Sequence, residues 1–482
     1  MSNESYRLQT VSGMLWTSVQ RFGSMGISFI ANLFLARLLA PEDFGSIGIL
    51  MVFISIANIF VDAGFGAAII QKKNPTQEDY STIFYLNLIV SVVLYFVLYY
   101  YAPAISRFYQ IPSLSDLFRV LSTILFFNSF AIIQDSQLRK QLKFKKLSIV
   151  SLSSAILGAA CGITSAYLGF GVWSLVINSL VGVFIRVVLL WNLSKWFPIW
   201  VFSKQSLKEL FSFGGFILAN SLLFTLRNNI QALIIGKLFT SRDLGFYTQA
   251  RRLQEIPSTS FSSIVEQVSF PIFSKMQDNI VNLRNAQQKS LKSLTFVSFP
   301  LIILLMVIAS PLIKLLYTDK WAESVPYFQI LCVGALGACL QAVNANVVNS
   351  LGKSALYFKW SVIKTIAIFV FILIGSAFGM KGLLYGWVLG AWFDYFINAW
   401  LSSKFTNYKI HEQLKDLFPM FALSIIVGIA TWFLGKYLRI NYVIVLFLQF
   451  LIYISSYLGL SFFLKFDAMF SMLSMVKIYS KK

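Results

Sequence analysis

A chain of 482 residues that is 57% hydrophobic and only 12% charged, with a mean hydropathy of +0.72, lies far from the quarter-charged composition of soluble domains. This excludes a soluble enzyme or binding module and defines an all-α polytopic membrane protein. The net charge of +21 is scattered over many short loops, as topological signals and headgroup contacts require, and forms no surface stripe for a nucleic acid.

A dozen polar residues precede the first apolar run, 13–36, which contains Arg21 and no small-residue cleavage site, so a retained first helix is expected and not a signal peptide. Runs of spanning length follow at 46–70, 82–105, 117–135, 148–168, 171–192, 214–238 and 246–273. Six more cover 294–317, 326–350, 356–378, 383–401, 418–435 and 441–464, which makes about fourteen. The polar stretches between them leave no room for an extramembranous catalytic unit. The last two runs have almost no interior charge and suit lipid-facing packing. Cys161, Cys332 and Cys339 fall within apolar runs and are read as packing residues, with no disulfide or metal spacing. His411, the only histidine, is expected as a solvated loop residue.

The phrase Leu-Leu-Ala-Pro-Glu-Asp-Phe-Gly at 38–45 returns as Leu-Phe-Thr-Ser-Arg-Asp-Leu-Gly at 238–245, an offset of 238 − 38 = 200 residues. About six apolar runs lie between the copies, so the repeats are parallel, related by an axis along the membrane normal. Two pseudo-symmetric six-helix lobes are expected at 1–205 and 206–405, with two additional helices and a tail at 406–482. The loop 139–146 is the densest basic cluster, and its side of the membrane carries about two dozen Lys/Arg against about nine opposite, which places both termini in the cytoplasm.

Ionisable residues that cannot easily reach an interface are Arg21, Asp62, Arg227, Arg251, Arg252, Glu255, Glu266, Lys364 and Asp394. Arg186 and Asp135 lie close enough to span ends to snorkel. Thr17, Arg21, Ser24, Ser28 and Asn32 share one face of the first helix. Thr248, Arg251, Glu255, Ser258, Ser262 and Glu266 do so on the eighth, which Pro257 should kink. The second helix adds Ser55, Asn58 and Asp62, and the seventh adds Asn220, Arg227, Asn228 and Gln231. These four helices occupy equivalent positions in the two repeats and are expected to line a shared hydrophilic chamber.

Its surplus of arginine, whose planar fork suits bidentate phosphate contacts, points to an anionic, phosphorylated ligand. A purely structural pairing of these arginines with Asp62, Glu255 and Glu266 is the competing reading. Lys364 and Asp394 lie at similar depth on consecutive helices, and both a structural ion pair and a coupling role stay open for them. A multidrug or cation antiporter would want an acidic or aromatic chamber. A membrane-embedded glycan polymerase or transferase would want a long external loop or an intramembrane histidine and carboxylate set. The basic stripe argues against the first and the short loops and missing intramembrane histidine against the second, though both classes stay open; no catalytic residue or metal ligand is assigned.

The run Gly64-Phe65-Gly66-Ala67-Ala68-Ile69-Ile70-Gln71-Lys72 resembles a signature of the bacterial polysaccharide biosynthesis and export flippases. So do the 38–45 turn, Gln249-Ala250-Arg251-Arg252-Leu253 and Phe270-Pro271-Ile272-Phe273-Ser274-Lys275, and the likeness extends over roughly 10–465. The resemblance implies the multidrug, oligosaccharidyl-lipid and polysaccharide exporter superfamily, in the inner membrane. The implied cargo is an undecaprenyl-pyrophosphate-linked oligosaccharide for O-antigen, capsule or exopolysaccharide, carried to the outer leaflet by alternating access. Arg21, Arg251 and Arg252 stand where related flippases place cavity arginines. The implied partners are the lipid-linked oligosaccharide, membrane lipids, and a polysaccharide polymerase with its chain-length machinery. No cofactor is implied beyond a coupling proton or sodium ion, for which Asp62, Glu255, Glu266 and Asp394 are the candidates. The turns at Asp43 and Asp243 are expected to close and open the outer gate.

Overall fold

The computed structural model describes the backbone of residues 3–438 and 441–470, and the side chains of 12–211, 214–215, 217–258, 268–438 and 441–470. The described residues are almost entirely helical, with no strand among them, and form two compact units, 1–245 and 246–482.

The first unit contains α1 (Asn3–Leu38), α2 (Pro41–Asp62), α3 (Phe65–Gln71), α4 (Gln77–Tyr109), α5 (Leu114–Leu121), α6 (Ile124–Lys140), α7 (Phe144–Tyr167), α8 (Trp173–Ser194) and α9 (Lys204–Leu238). α7 packs between α1 and α8, α6 joins α8 to α4, and α9 lies along α2, α3 and α4. Two residues in the left-handed region, Ala63 (φ 44°) and Gly64 (φ 74°), end α2. Gly64 needs its missing side chain twice over, because a Cβ there would also lie 2.6 Å from the Gly214 carbonyl oxygen on α9. The Asp62 carboxylate then accepts from Gly66 N–H (3.1 Å), capping the start of α3. At α4, Thr76 and Asp79 form a reciprocal capping box. The apolar run expected at 117–135 is divided between α5 and α6. Ser122 and Thr123 donate their hydroxyls back to the Phe118 and Val120 carbonyls, a competition with the helical ladder that favours a break.

The division between units falls inside α10 (Ser241–Lys275). The second unit continues with α11 (Ile280–Val307), α12 (Ala309–Tyr317), a 3-10 turn (Asp319–Trp321), α13 (Ser324–Ser350), α14 (Ser354–Ser376), α15 (Gly379–Thr406), α16 (Ile410–Tyr437) and α17 (Tyr442–Phe463). α15 packs against both α13 and α14, and α11 against α13 and α16. Phe296, Leu304, Leu423, Val427 and Tyr453 form a shared apolar core of α11, α16 and α17.

Ten helical segments among the described residues are long and apolar enough to cross a membrane: α2 with α3, α4, α5 with α6, α7, α8, α11, α13, α14, α16 and α17. α1, α9, α10 and α15, at 36, 35, 35 and 28 residues, fall outside that set. They also carry most of the interior charges named above.

Candidate functional site

On α1, Gln20 donates to the Ser151 hydroxyl on α7 (2.7 Å), while its neighbour Arg21 is exposed, with no carboxylate among the described residues within ion-pair distance. Asn32, three turns on, is buried. On α2, Asn58 accepts from the Asn128 amide of α6 (2.8 Å). Asp62 is partly buried and committed to the α3 cap. Arg227 and Asn228 on α9 are half-buried and Gln231 is buried; none of the three is without an interaction partner. Asp135 is ion-paired with Arg139 and with Arg186, the latter at 3.1 Å, so these charges stabilise α6 against α8.

A hydrogen-bonded cationic ladder lies on α10. Tyr247, Arg251 and Glu255 recur at four-residue spacing and therefore stack along one face. Arg251 donates Nη1 to the Tyr247 hydroxyl (3.1 Å) and Nε to Glu255 Oε1 (2.6 Å). Tyr247 is fully buried against the unit, which fixes one end of the ladder. Arg252 is the next residue, half-buried and within electrostatic reach of both Glu255 and Tyr317. Pro257 follows within the helix; it supplies no N–H to the carbonyl of Leu253, so α10 is weakened just beyond the ladder, as it is again at Pro271. The side chains of Ser262 and Glu266 lie outside the described residues.

Lys364 on α14 and Asp394 on α15 form a fully buried ion pair (2.7 Å). Asn398 accepts from the same ammonium (2.7 Å) and donates to Asp394 (3.2 Å), and the Tyr357 ring lies 4.9 Å from Nζ. Every polar group in the cluster is thereby bonded, as an apolar interior demands.

The two copies of the repeated phrase lie against each other within the first unit. A Cβ at Gly45 would overlap the Ser241 carbonyl oxygen, and one at Gly245 would overlap that of Pro41. Because 241 − 41 = 200 and 245 − 45 = 200, the contact is a reciprocal one between equivalent residues of the repeats. Asp43 accepts from Ala40 N–H (3.0 Å), and Asp243 from Thr240 N–H (3.2 Å), so each aspartate caps its own helix. Glu42 faces Arg242 at 3.6 Å across the crossing.

Several polar groups meet partners that the sequence did not indicate. Lys72 bridges Asp79 (2.9 Å) and Glu209 (3.1 Å), tying the start of α9 to α4. Lys140 donates to the carbonyls of Ile69, Ile70 and Lys72, closing the C-terminal end of α3. Gln287, Asn344, Ser402 and Gln413 form a buried hydrogen-bonded hub joining α11, α13, α15 and α16. Each residue looks unremarkable alone; only the packing brings them together.

These features define an all-helical, multi-pass membrane protein with a transporter-type bundle. The chain is similar over 94% of its length to the structure of lipid II flippase MurJ in its inward closed conformation, with a TM-score of 0.75 at 14% identity and 99% of that chain covered. At that identity the likeness is one of fold. A model of the polysaccharide biosynthesis protein family matches residues 34–326, more than half of the chain, and the protein belongs to that family. It is 28% identical over 429 residues to the teichuronic acid biosynthesis protein TuaB of Bacillus subtilis (strain 168), covering 87% of this chain and 88% of that protein. It is 25% identical over 453 residues to the lipopolysaccharide biosynthesis protein WzxC of Escherichia coli (strain K12), covering 90% and 89%.

Proposed function

We propose that the protein flips undecaprenyl-pyrophosphate-linked oligosaccharide repeat units from the cytoplasmic to the outer leaflet of the bacterial inner membrane. The observation that carries this reading is the ordered arginine pair of α10, Arg251 and Arg252, in the interior of a family member built almost wholly of apolar helices. A pyrophosphate and its sugars cannot enter hydrocarbon unpaired, whereas a polyprenyl tail can remain there. The protein therefore encloses the head and leaves the tail in lipid. Translocation breaks no covalent bond, so an enzyme's residues are not required.

In this reading α1, α9, α10 and α15 also cross the membrane, giving fourteen spans with both termini in the cytoplasm. The lobes are those of the repeat, 1–205 and 206–405, with 406–482 added. Arg21, Arg227, Arg251 and Arg252 receive the pyrophosphate, and Asn32, Asn58, Asn228 and Gln231 contribute to the sugar-facing surface. Asp62, Glu255, Glu266 and Asp394 remain candidates for proton or sodium coupling. Repeat units delivered outside then reach a polymerase and its chain-length machinery. A cation antiporter is disfavoured by the surplus of arginine.

Replacing both Arg251 and Arg252 with Ala tests this directly. Export of surface polysaccharide is lost while the protein stays folded and inserted, and Lys replacements rescue only in part because they keep the charge without the fork. Loss of one charge-assisted contact corresponds to about 1.5–3 kcal/mol, or roughly tenfold or more in capture. Normal export in the double Ala variant would make the arginines structural partners of Glu255.

A further inference from the structure

Glu255 poses a question for a pyrophosphate site. A carboxylate 2.6 Å from Arg251 competes for the charge the cargo would use. The two side chains are unequally placed: Arg251 retains 24% of its side-chain exposure and Glu255 retains 45%. The guanidinium is therefore the inner partner and the carboxylate the outer one. Its hold is also asymmetric. Tyr247, on the preceding turn, is fully buried and cannot leave, whereas Glu255 is a long, half-exposed side chain next to the weakened turn at Pro257.

We propose that Glu255 is an exchangeable counter-ion of Arg251. In the empty protein it neutralises the guanidinium. The pyrophosphate displaces it on arrival, and its return expels the cargo on the far side, while Tyr247 keeps Arg251 in place throughout. This rests on the assignment of Arg251 to the pyrophosphate and adds how that site is emptied. The exchange replaces one anion by another on the same cation, so the guanidinium is never left without a counter-ion. Arg252 lies within electrostatic reach of the same carboxylate, so the displaced Glu255 stays beside a cation that it shares with the cargo.

The test compares equilibrium binding and turnover. Binding of undecaprenyl pyrophosphate to the full-length protein in nanodiscs is measured by intrinsic tryptophan fluorescence, and flipping of a fluorescent undecaprenyl pyrophosphate analogue is measured in proteoliposomes. Glu255→Gln removes the competitor, so binding tightens by about three- to tenfold while the maximal flipping rate falls by a similar factor. The gain in binding disappears when Arg251→Ala is added. Glu255→Asp keeps the charge on a shorter stem and falls between wild type and Glu255→Gln in both measurements. Unchanged or weaker binding in a folded Glu255→Gln protein overturns the exchange, as does a gain that survives Arg251→Ala. Wild-type protein with no saturable binding of the pyrophosphate lipid refutes the assignment of the site itself, an outcome distinct from either.

Discussion

The reciprocal contact of Gly45 and Gly245 gives the sharpest prediction. Neither glycine is needed for its backbone angles, since both lie in ordinary helix and neither has positive φ. On helix propensity alone, Ala at either position would stabilise the chain by about 1 kcal/mol. The structure predicts the opposite sign. A methyl at Gly45 would overlap the Ser241 carbonyl oxygen and lie 3.2 Å from Gly245 N, and restoring an ordinary C···O contact near 3.3 Å requires the segments to part by about 1.5 Å. Overpacking of this kind costs about 1–3 kcal/mol, which exceeds the propensity gain. A net penalty near 1.4 kcal/mol on the closed crossing alone shifts its population about tenfold toward separation. The assay is cross-linking of Glu42→Cys to Arg242→Cys with a short bis-maleimide, since these side chains meet at 3.6 Å across the contact. Gly45→Ala or Gly245→Ala lowers the cross-linking rate several-fold. Gly26→Ala, where a Cβ meets nothing within 4 Å, leaves it unchanged and serves as the control. Undiminished cross-linking in both Ala variants would refute the claim that close glycine packing holds this crossing.

Three further outcomes are expected. Lys364→Met or Asp394→Asn alone leaves an uncompensated buried group and lowers unfolding stability in detergent by about 3–5 kcal/mol, whereas Lys364→Met with Asp394→Leu recovers most of that loss; equal loss in the double variant would contradict it. Gly64→Ala reduces the yield of folded protein, because it combines a left-handed backbone with a 2.6 Å approach to the Gly214 carbonyl, and normal yield would show that the α2–α9 contact is loose. The tether at the start of α9 depends on pH. Hydrogen bonding to Asp79 raises the Lys72 ammonium above its usual 10.5, and hydrogen bonding from Lys72 lowers the Glu209 carboxyl below its usual 4.5. The Glu209 contribution is present above the ordinary carboxylate value and lost as pH falls through the lowered one. That of Lys72 is present below the ordinary ammonium value and lost as pH rises through the raised one. Against the upward effect of its burial, hydrogen bonds from Thr76, Lys72 and Ser206 lower Asp79 too. Exchange protection of residues 203–210 is therefore flat across neutral pH and drops in acid, and Glu209→Gln reduces the acid step and leaves the part that belongs to Asp79.

Much of the bundle was legible because bilayer thickness imposes a length on every apolar run. The 200-residue offset identified Gly45 and Gly245 as equivalent, but their physical contact is a property of packing that no spacing encodes. The Arg251–Glu255 ion pair follows from helical geometry alone, since four residues make one face. Tyr247 was silent because a tyrosine in an apolar segment has no distinguishing pattern until its hydroxyl is seen against a guanidinium. Asn58 stood out as a polar residue in an apolar helix, yet its partner Asn128 comes from α6, 70 residues away. The break at Ser122–Thr123 was hidden because hydroxyl residues are tolerated in continuous helices as well. Sequence thus exposes which residues are too polar for their surroundings; it does not say what meets them.

If this protein moves a lipid-linked oligosaccharide across the membrane, depleting it in its own cell strands that oligosaccharide on the side where it is made. The lipid fraction is extracted and the sidedness of the undecaprenyl-pyrophosphate-linked repeat unit is assayed with a membrane-impermeant glycan probe on spheroplasts and on inverted vesicles. Complete repeat units are expected to accumulate in the cytoplasmic leaflet while surface polysaccharide disappears, and restoring the protein clears them. Repeat units still reaching the outer leaflet after depletion, with polymer assembled normally, would contradict that role.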